Sequence, residues 1–269
     1  RRAIKSRAVG HAGTLDPMAT GVLVVACGEA TKLVPYLTAA DKEYETTIAL
    51  GTTTETLDAE GSTRTEAPVP PGWRGQLDAA LAEERTRTEQ IPPIFSAIHV
   101  GGERAHELAR AGKEVVLAPR PVVVQGLDIL RTTEVPPSVT LRVEVGKGYY
   151  VRSLARDLAE RLGTVGHLTM LHRTRSGSFN QGEATALDAP DFAAHALSIE
   201  DAAKRSIPFM VLDEAQTRDA GHGKKLVFAP ALAASAIAWL DEAGALLAIG
   251  SIDAEGCGRV LRGFARPVP

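Results

Sequence analysis

What this chain lacks narrows it first. No apolar run in its 269 residues reaches the roughly 18 that a membrane-spanning helix needs. No stretch has the charged, apolar and small-residue order of a secretory signal. Its two cysteines, Cys27 and Cys257, lie far apart and in no metal-ligand spacing. With Cys27 inside an apolar run, a reduced thiol in the cytoplasm is the expected setting. Neither a Gly-x-Gly-x-x-Gly run nor a P-loop is present, so dinucleotide and nucleoside-triphosphate chemistry have no support. The histidines form no His-Glu-x-x-His, and His167 and His172 are not spaced to share a helical face for zinc. A Gly-x-Ser-x-Gly elbow is missing too. No metal is expected, and a nucleophile, if the chain has one, is a carboxylate. The chain opens on Arg1-Arg2 rather than methionine, and an N-terminal piece is expected to be missing.

A strong excess of positive charge is also lacking. The 33 acids outnumber the 30 Lys and Arg residues, for a net charge of −3. The distribution is less even than the total. Arg1, Arg2, Lys5 and Arg7 stand before the first acid, Asp16. From Arg142 to Arg175 bases again predominate, whereas the stretch from Glu183 to Asp201 carries acids and no Lys or Arg. A basic face on an acidic protein can still steer phosphates, although a solvated, salt-bridged surface would look the same.

With 44% hydrophobic residues the chain can bury one large or two modest cores. Tyr44, Thr46, Ile48 and Leu50 alternate as one face of a strand, and Val139, Leu141, Val143 and Val145 form a second. Val122 through Leu130 reads as a third strand, and 22–27 as a buried strand or strand–helix junction. A helix fits 151–162, stopped by Gly163, with Arg152 and Arg156 on its polar face and Asp157 placed to support Arg161. A Pro/Gly-rich loop over 63–74 precedes a helical stretch. Ile91-Pro92-Pro93 then opens an excursion with a short helix carrying Arg104, His106 and Arg110. An acidic helix near 190–204 has Ser198 and Asp201 spaced for capping. After Pro208 short strands take over, at 209–212, 236–240, 245–250 and 258–264. The strands and helices do not alternate as βαβ units, so a mixed, largely antiparallel α+β sheet is expected.

The richest stretch is Gly10-His11-Ala12-Gly13-Thr14-Leu15-Asp16-Pro17-Met18-Ala19-Thr20-Gly21. Its glycines allow positive φ and close approach to a ligand. Asp-Pro starts helices and turns, so Asp16 also fits an ordinary N-cap.

The run Gly10–Pro17 closely resembles the catalytic motif of the TruB family, the bacterial tRNA pseudouridine-55 synthases. Further matches follow in family order: Asp41-Lys42-Glu43-Tyr44, Ile91-Pro92-Pro93 with Ser96-Ala97, Lys147-Gly148-Tyr149-Tyr150-Val151-Arg152, and Leu171 before the basic 172–175 stretch. The resemblance covers about residues 8–182 and is weaker beyond. It implies the pseudouridine synthase fold over 1–205, without the family's opening strand and with an RNA-closing insertion at about 91–121. It also implies a small β-rich, PUA-like RNA-binding domain over 206–269. The implied reaction isomerises a uridine of the tRNA T-loop, with no cofactor. The implied catalytic residues are Asp16 as nucleophile, Tyr44 stacking on the base, and Arg152 pairing with Asp16. His11 would enter the space left by the flipped base, Tyr150 and Leu171 would hold that base, and Arg7, Lys147 and Arg173 would meet the RNA. Only the tRNA T-stem-loop is implied as partner, with neither a membrane nor another protein, and a monomer is expected. Two other readings fit the residues: a non-catalytic tRNA-binding or folding module, and a nucleoside hydrolase using Asp41, Glu43 or Asp58 as a second carboxylate.

Overall fold

The computed structural model describes residues 7–190 and 192–265, the His106 side chain excepted. Arg1, Arg2, Lys5 and Asp191 therefore lie outside the described residues. The chain forms two compact units. One is Thr14–Leu23 with Ala39–Gly182, and the other takes the described residues of Arg1–Gly13, Val24–Thr38 and Glu183–Pro269. The boundary that the resemblance implies at residue 205 falls inside the second unit, next to the helix Ile199–Ser206.

The first unit is built on a mixed six-stranded sheet. Its order is Val124–Glu134, Pro137–Val145, Lys42–Leu50, Gly166–Ser176 and Phe179–Asn180, all antiparallel neighbours, with Thr20–Gly21 parallel to Gly166–Ser176. The α+β, largely antiparallel expectation holds. Alternation decides which side chains go inward: Ile48, Leu50, Val139, Leu141, Val143 and Leu168 are buried. They pack with Leu77 and Leu81 of the helix Trp73–Arg85 and with Leu154, Ala155 and Leu158 of the helix Val151–Arg161. Each buried Leu or Val contributes about 1.5–3 kcal/mol relative to exposure. Gly163 ends the second helix at φ +74°, as its position predicts.

Three local expectations change. Asp157 does not support Arg161. It pairs with Arg87 at 2.7 Å and Arg156 at 2.6 Å, while Arg161 reaches Glu83 and Glu84 on the other helix. Partners brought by tertiary packing displaced the one available within the helix. In the 22–27 run only Val25–Cys27 forms a strand, paired with Val9–His11. The 63–74 loop contains a strand, Thr63–Glu66, paired with Thr52–Thr54.

The second unit carries a five-stranded sheet ordered Phe209–Val211, Ala234–Leu240, Leu246–Ile252, Cys257–Gly263 and Leu226–Val227, around the buried Trp239. A helix the sequence reading missed, Glu214–Gly221, begins with an Asp213/Gln216 capping box. Ser198 caps the helix Ile199–Ser206 as expected, accepting from the Asp201 N–H at 3.0 Å. Within this unit the Gly28–Leu33 turn reaches the C-terminal strands: Lys32 donates to the Gly263 carbonyl at 2.9 Å, and its ammonium lies 5.5 Å from the Phe264 ring centre. Among the described residues no helix is long and apolar enough to cross a membrane.

Candidate active site

Asp16 does not cap a helix. Its carbonyl accepts the Ala19 N–H at 2.9 Å, closing a turn with Pro17 in the position proline favours. The chain then joins the main sheet. Thr20 and Gly21 pair with His172 and Arg173, and the Val22 N–H donates to the Arg173 carbonyl at 2.8 Å. Gly21 is required here: its φ is +95°, and a Cβ would lie 2.2 Å from the Arg173 carbonyl oxygen. That close approach is to the protein's own backbone. Thr20 Oγ1 meets His172 Nδ1 at 2.7 Å, and His172 Nε2 meets Gln181 at 2.6 Å. The loop that carries Asp16 is thereby clamped just downstream of it.

With its backbone in that turn, the Asp16 side chain is committed to Arg152, the second residue of the helix Val151–Arg161. Nε donates to Oδ2 at 3.0 Å and Nη2 to Oδ1 at 2.9 Å. This fork-to-fork pair is the strong form of a carboxylate–arginine contact. Periodicity puts Arg152 on the polar helix face, whereas the resemblance pairs it with Asp16; it is buried, with its side chain 8% exposed against 25% for Asp16. Nη1 also donates to the Thr56 carbonyl and Nη2 to the Phe95 carbonyl, each at 3.0 Å. A cation in the first helical turn opposes the helix dipole, at a cost of about 0.3–1 kcal/mol, and that turn contains no acid. Carboxylates from elsewhere in the chain supply the missing charge.

Asp58 is one of them. Its side chain is 4% exposed, and Oδ2 stands 3.7 Å from Arg152 Nε. Oδ1 accepts from the Thr56 hydroxyl and from the Glu60 N–H. The sequence reading had Asp58 only as one of three spare carboxylates. Its local signal was the spacing Thr56-x-Asp58-x-x-Gly61, a turn signature: a Cβ on Gly61 would lie 2.4 Å from Thr56 Oγ1. Of the other two, Asp41 accepts from Gln125 and Glu43 from Thr174.

Tyr44 lies on the Lys42–Leu50 strand, opposite Arg173 in register and packed against the core. Burial raises its phenol above the usual range, the Arg173 charge and hydrogen bond pull it back, and the Asp16 charge raises it. Asp16 and Arg152 are in direct contact, and the Asp16 charge reaches the Tyr44 phenol. Leu171 is buried in the same core.

Tyr150 packs against the small cluster of Ile98, Ala105, Val115 and Leu117 in the excursion. Its backbone is fixed on both sides by Gln90, which accepts from the Tyr150 N–H at 2.9 Å and donates to its carbonyl at 3.2 Å. Ser153 and Arg156 both donate to the Ile91 carbonyl, at 2.9 and 3.0 Å. Residues 90–95 are thus tied to the same helical turn that carries Arg152. Within the excursion Arg104 and Arg110 are exposed, and Lys113 forms an exposed pair with Glu103.

The expected RNA contacts separate. Lys147 is exposed beside Gly148. Arg7 and His11 are exposed and belong to the second unit. Arg173 does not fit its expected role. It is 1% exposed, with Nε donating to the Val22 carbonyl at 2.7 Å. On an inward-facing strand position its side chain is enclosed by the Asp16 loop and Tyr44. Among the described residues no group of three or more His, Cys, Asp or Glu side chains could hold a metal ion.

Residues 1–151 match the family model for the TruB family pseudouridylate synthase N-terminal domain, and residues 152–214 that for the tRNA pseudouridylate synthase B C-terminal domain. A tRNA pseudouridine synthase B from Caulobacter vibrioides is 44% identical over 236 residues, covering 86% of this chain and 76% of the relative. One from Mycobacterium sp. (strain KMS) is 45% identical over 229 residues, covering 84% and 77%. Among solved structures, an H/ACA RNP bound to a substrate RNA containing 2′-deoxyuridine includes a chain with the same fold. The TM-score is 0.70 at 21% identity, covering 98% of this chain and 78% of that one.

Proposed function

Because the chain belongs to the TruB family of pseudouridylate synthases, we propose that it isomerises a uridine in the T-loop of tRNA, at position 55, to pseudouridine. The relatives' names support tRNA as the substrate. The observation that carries the chemistry is the two-pronged Asp16–Arg152 pair, in which the arginine is buried while the carboxylate keeps a quarter of its surface open. In the reaction the N1–C1′ bond of uridine breaks, the base turns, and C5 bonds to C1′. The C5 proton leaves and N1 gains one, so there is no net redox change and no cofactor is called for.

Asp16 is the carboxylate that attacks the nucleotide. Arg152 orients it and offsets its charge without being able to lose its own proton at working pH. Tyr44 stacks on the base, an interaction worth about 1–3 kcal/mol, while Leu171 and Tyr150 exclude water around it. A uridine stacked within the T-loop has to be flipped out first, and His11 takes the vacated place. Arg7 and Lys147 meet RNA phosphates, and the 91–121 insertion brings Arg104, Arg110 and Lys113 to them. Residues 206–269 act as a PUA-like RNA-binding domain, and the chain works as a monomer. The nucleoside-hydrolase reading needs a second carboxylate that activates water. Asp58, which stands nearest the pair, has its oxygens engaged by Thr56, Glu60 and Arg152.

The test is Asp16→Asn assayed on a T-stem-loop RNA. Pseudouridine formation should disappear while RNA binding persists; retained turnover would refute the mechanism.

A further inference from the structure

None of the roles proposed above uses the buried arginine beside Tyr44. Arginines are almost never fully buried unless their donors are met, and Arg173 is 1% exposed. Its Nε donates to the Val22 carbonyl at 2.7 Å. Its own carbonyl accepts the Val22 N–H at 2.8 Å, so backbone and side chain both hold the segment that follows Asp16. On the neighbouring strand Arg173 stands opposite Tyr44, and its side chain hydrogen-bonds the phenol. A guanidinium can only donate. The Tyr44 oxygen is therefore the acceptor on that side, and its own O–H has to point elsewhere. Asp16 is the carboxylate whose charge bears on this phenol.

We propose that Arg173 is a positioning residue for the isomerisation: by donating to the Tyr44 oxygen it fixes the hydroxyl as a donor aimed at the nucleotide beside Asp16. One guanidinium then ties the end of the Asp16 loop to the Tyr44 strand, so nucleophile and phenol keep a constant spacing. The inference rests on the uridine-isomerase reading above. Its charge also opposes the burial that raises the phenol.

Arg173→Lys keeps the charge but loses the planar fork that reaches Val22 and Tyr44 together. On a T-stem-loop RNA, single-turnover pseudouridine formation should fall about 10- to 100-fold. The RNA dissociation constant and its salt dependence should stay within about twofold. In a Tyr44→Phe background the same change should cost less than about threefold, because the hydroxyl it aimed is gone. Equal losses in both backgrounds would overturn the proposal. So would weaker binding with a salt slope reduced by about one and an unchanged rate on bound RNA, the signature of a phosphate contact.

A second measurement leaves Arg173 in place, in case its replacement unfolds the chain. In nitrogen-15 NMR of the full chain, Tyr44→Phe should shift the Arg173 guanidinium signals and speed their exchange with water; unchanged signals would overturn the proposal. Wild-type turnover separates the two ideas. A wild-type chain that makes no pseudouridine refutes the isomerase reading, and the positioning role with it, while the NMR result still decides the Arg173–Tyr44 contact.

Discussion

Two arginine–carboxylate assemblies in the first unit, each with a buried member, differ in how open they are. Glu84, on the helix Trp73–Arg85, is fully buried. Its Oε1 accepts from the Tyr149 hydroxyl at 2.7 Å and faces Arg87 Nε at 2.9 Å, and its Oε2 takes Arg161 at 2.8 Å. Arg87 and Arg156 continue the network to Asp157. Asp16 has one guanidinium on its two oxygens and a quarter of its surface exposed. Each carboxylate accepts two of these hydrogen bonds, but Glu84 is closed off from solvent, whereas Asp16 keeps an open approach. Enclosure makes the first a structural brace between helices; its open face suits the second to the role proposed for it.

Substitutions at each assembly should break this comparison in opposite ways. The largest effect is expected at Asp16. Asp16→Asn should reduce pseudouridine formation by on the order of 10⁴-fold or more, with a smaller fall in urea midpoint than at Glu84, because Asp58 stays beside Arg152. Glu84→Gln should do the reverse. Removing one partner of a buried network costs about 3–5 kcal/mol, readable as a lower urea midpoint, while the folded fraction keeps its single-turnover rate within about threefold. A rate loss there without loss of stability would erase the distinction.

Arg152→Lys comes next. A lysine cannot reproduce the fork, so the single-turnover rate should fall about 10²- to 10³-fold. RNA affinity should hold, because the side chain is buried behind Asp16.

The smallest effect concerns Lys42, a buried amine near both Tyr44 and Arg173. Burial and the Arg173 charge lower it to about 8, from an ordinary value of 10.5. Between those values the unfolded chain binds the extra proton, so this residue's contribution raises stability as pH climbs from about 8 toward 10.5. Below about 8 both states hold the proton and the penalty is complete. The wild type should therefore gain stability relative to Lys42→Met across that interval, as followed by unfolding at pH 7, 9 and 10. A parallel pair of curves would remove Lys42 from the comparison.

Much of the fold was legible because its signals are local. The period-two pattern of Tyr44–Leu50 and 139–145 and the stripe over 151–162 each encode one buried face. The helix Glu214–Gly221 was harder: it is short and strongly polar, with buried Ala220 in place of an apolar stripe. At the site, ordered motifs singled out Asp16, Tyr44 and Arg152. Periodicity by itself puts Arg152 on the polar face, because a charge counts as exposed until a carboxylate from elsewhere covers it; its pairing with Asp16 came from the resemblance. Arg173 was misread for the same reason. In a chain it is one basic residue of a basic stretch, and only strand pairing shows that Val22 and Tyr44 absorb it.

The sequence alone determined the inventory. Asp-Pro sets a turn, Gly21 supplies the one conformation that lets the loop touch the sheet, and the motif order names the family. Tertiary structure decided the assignments: which carboxylate is open, which is enclosed, and which arginine serves which partner. The reason is physical. Backbone preference acts over a few neighbouring residues, whereas desolvation of a charge depends on everything packed around it, however distant in the chain.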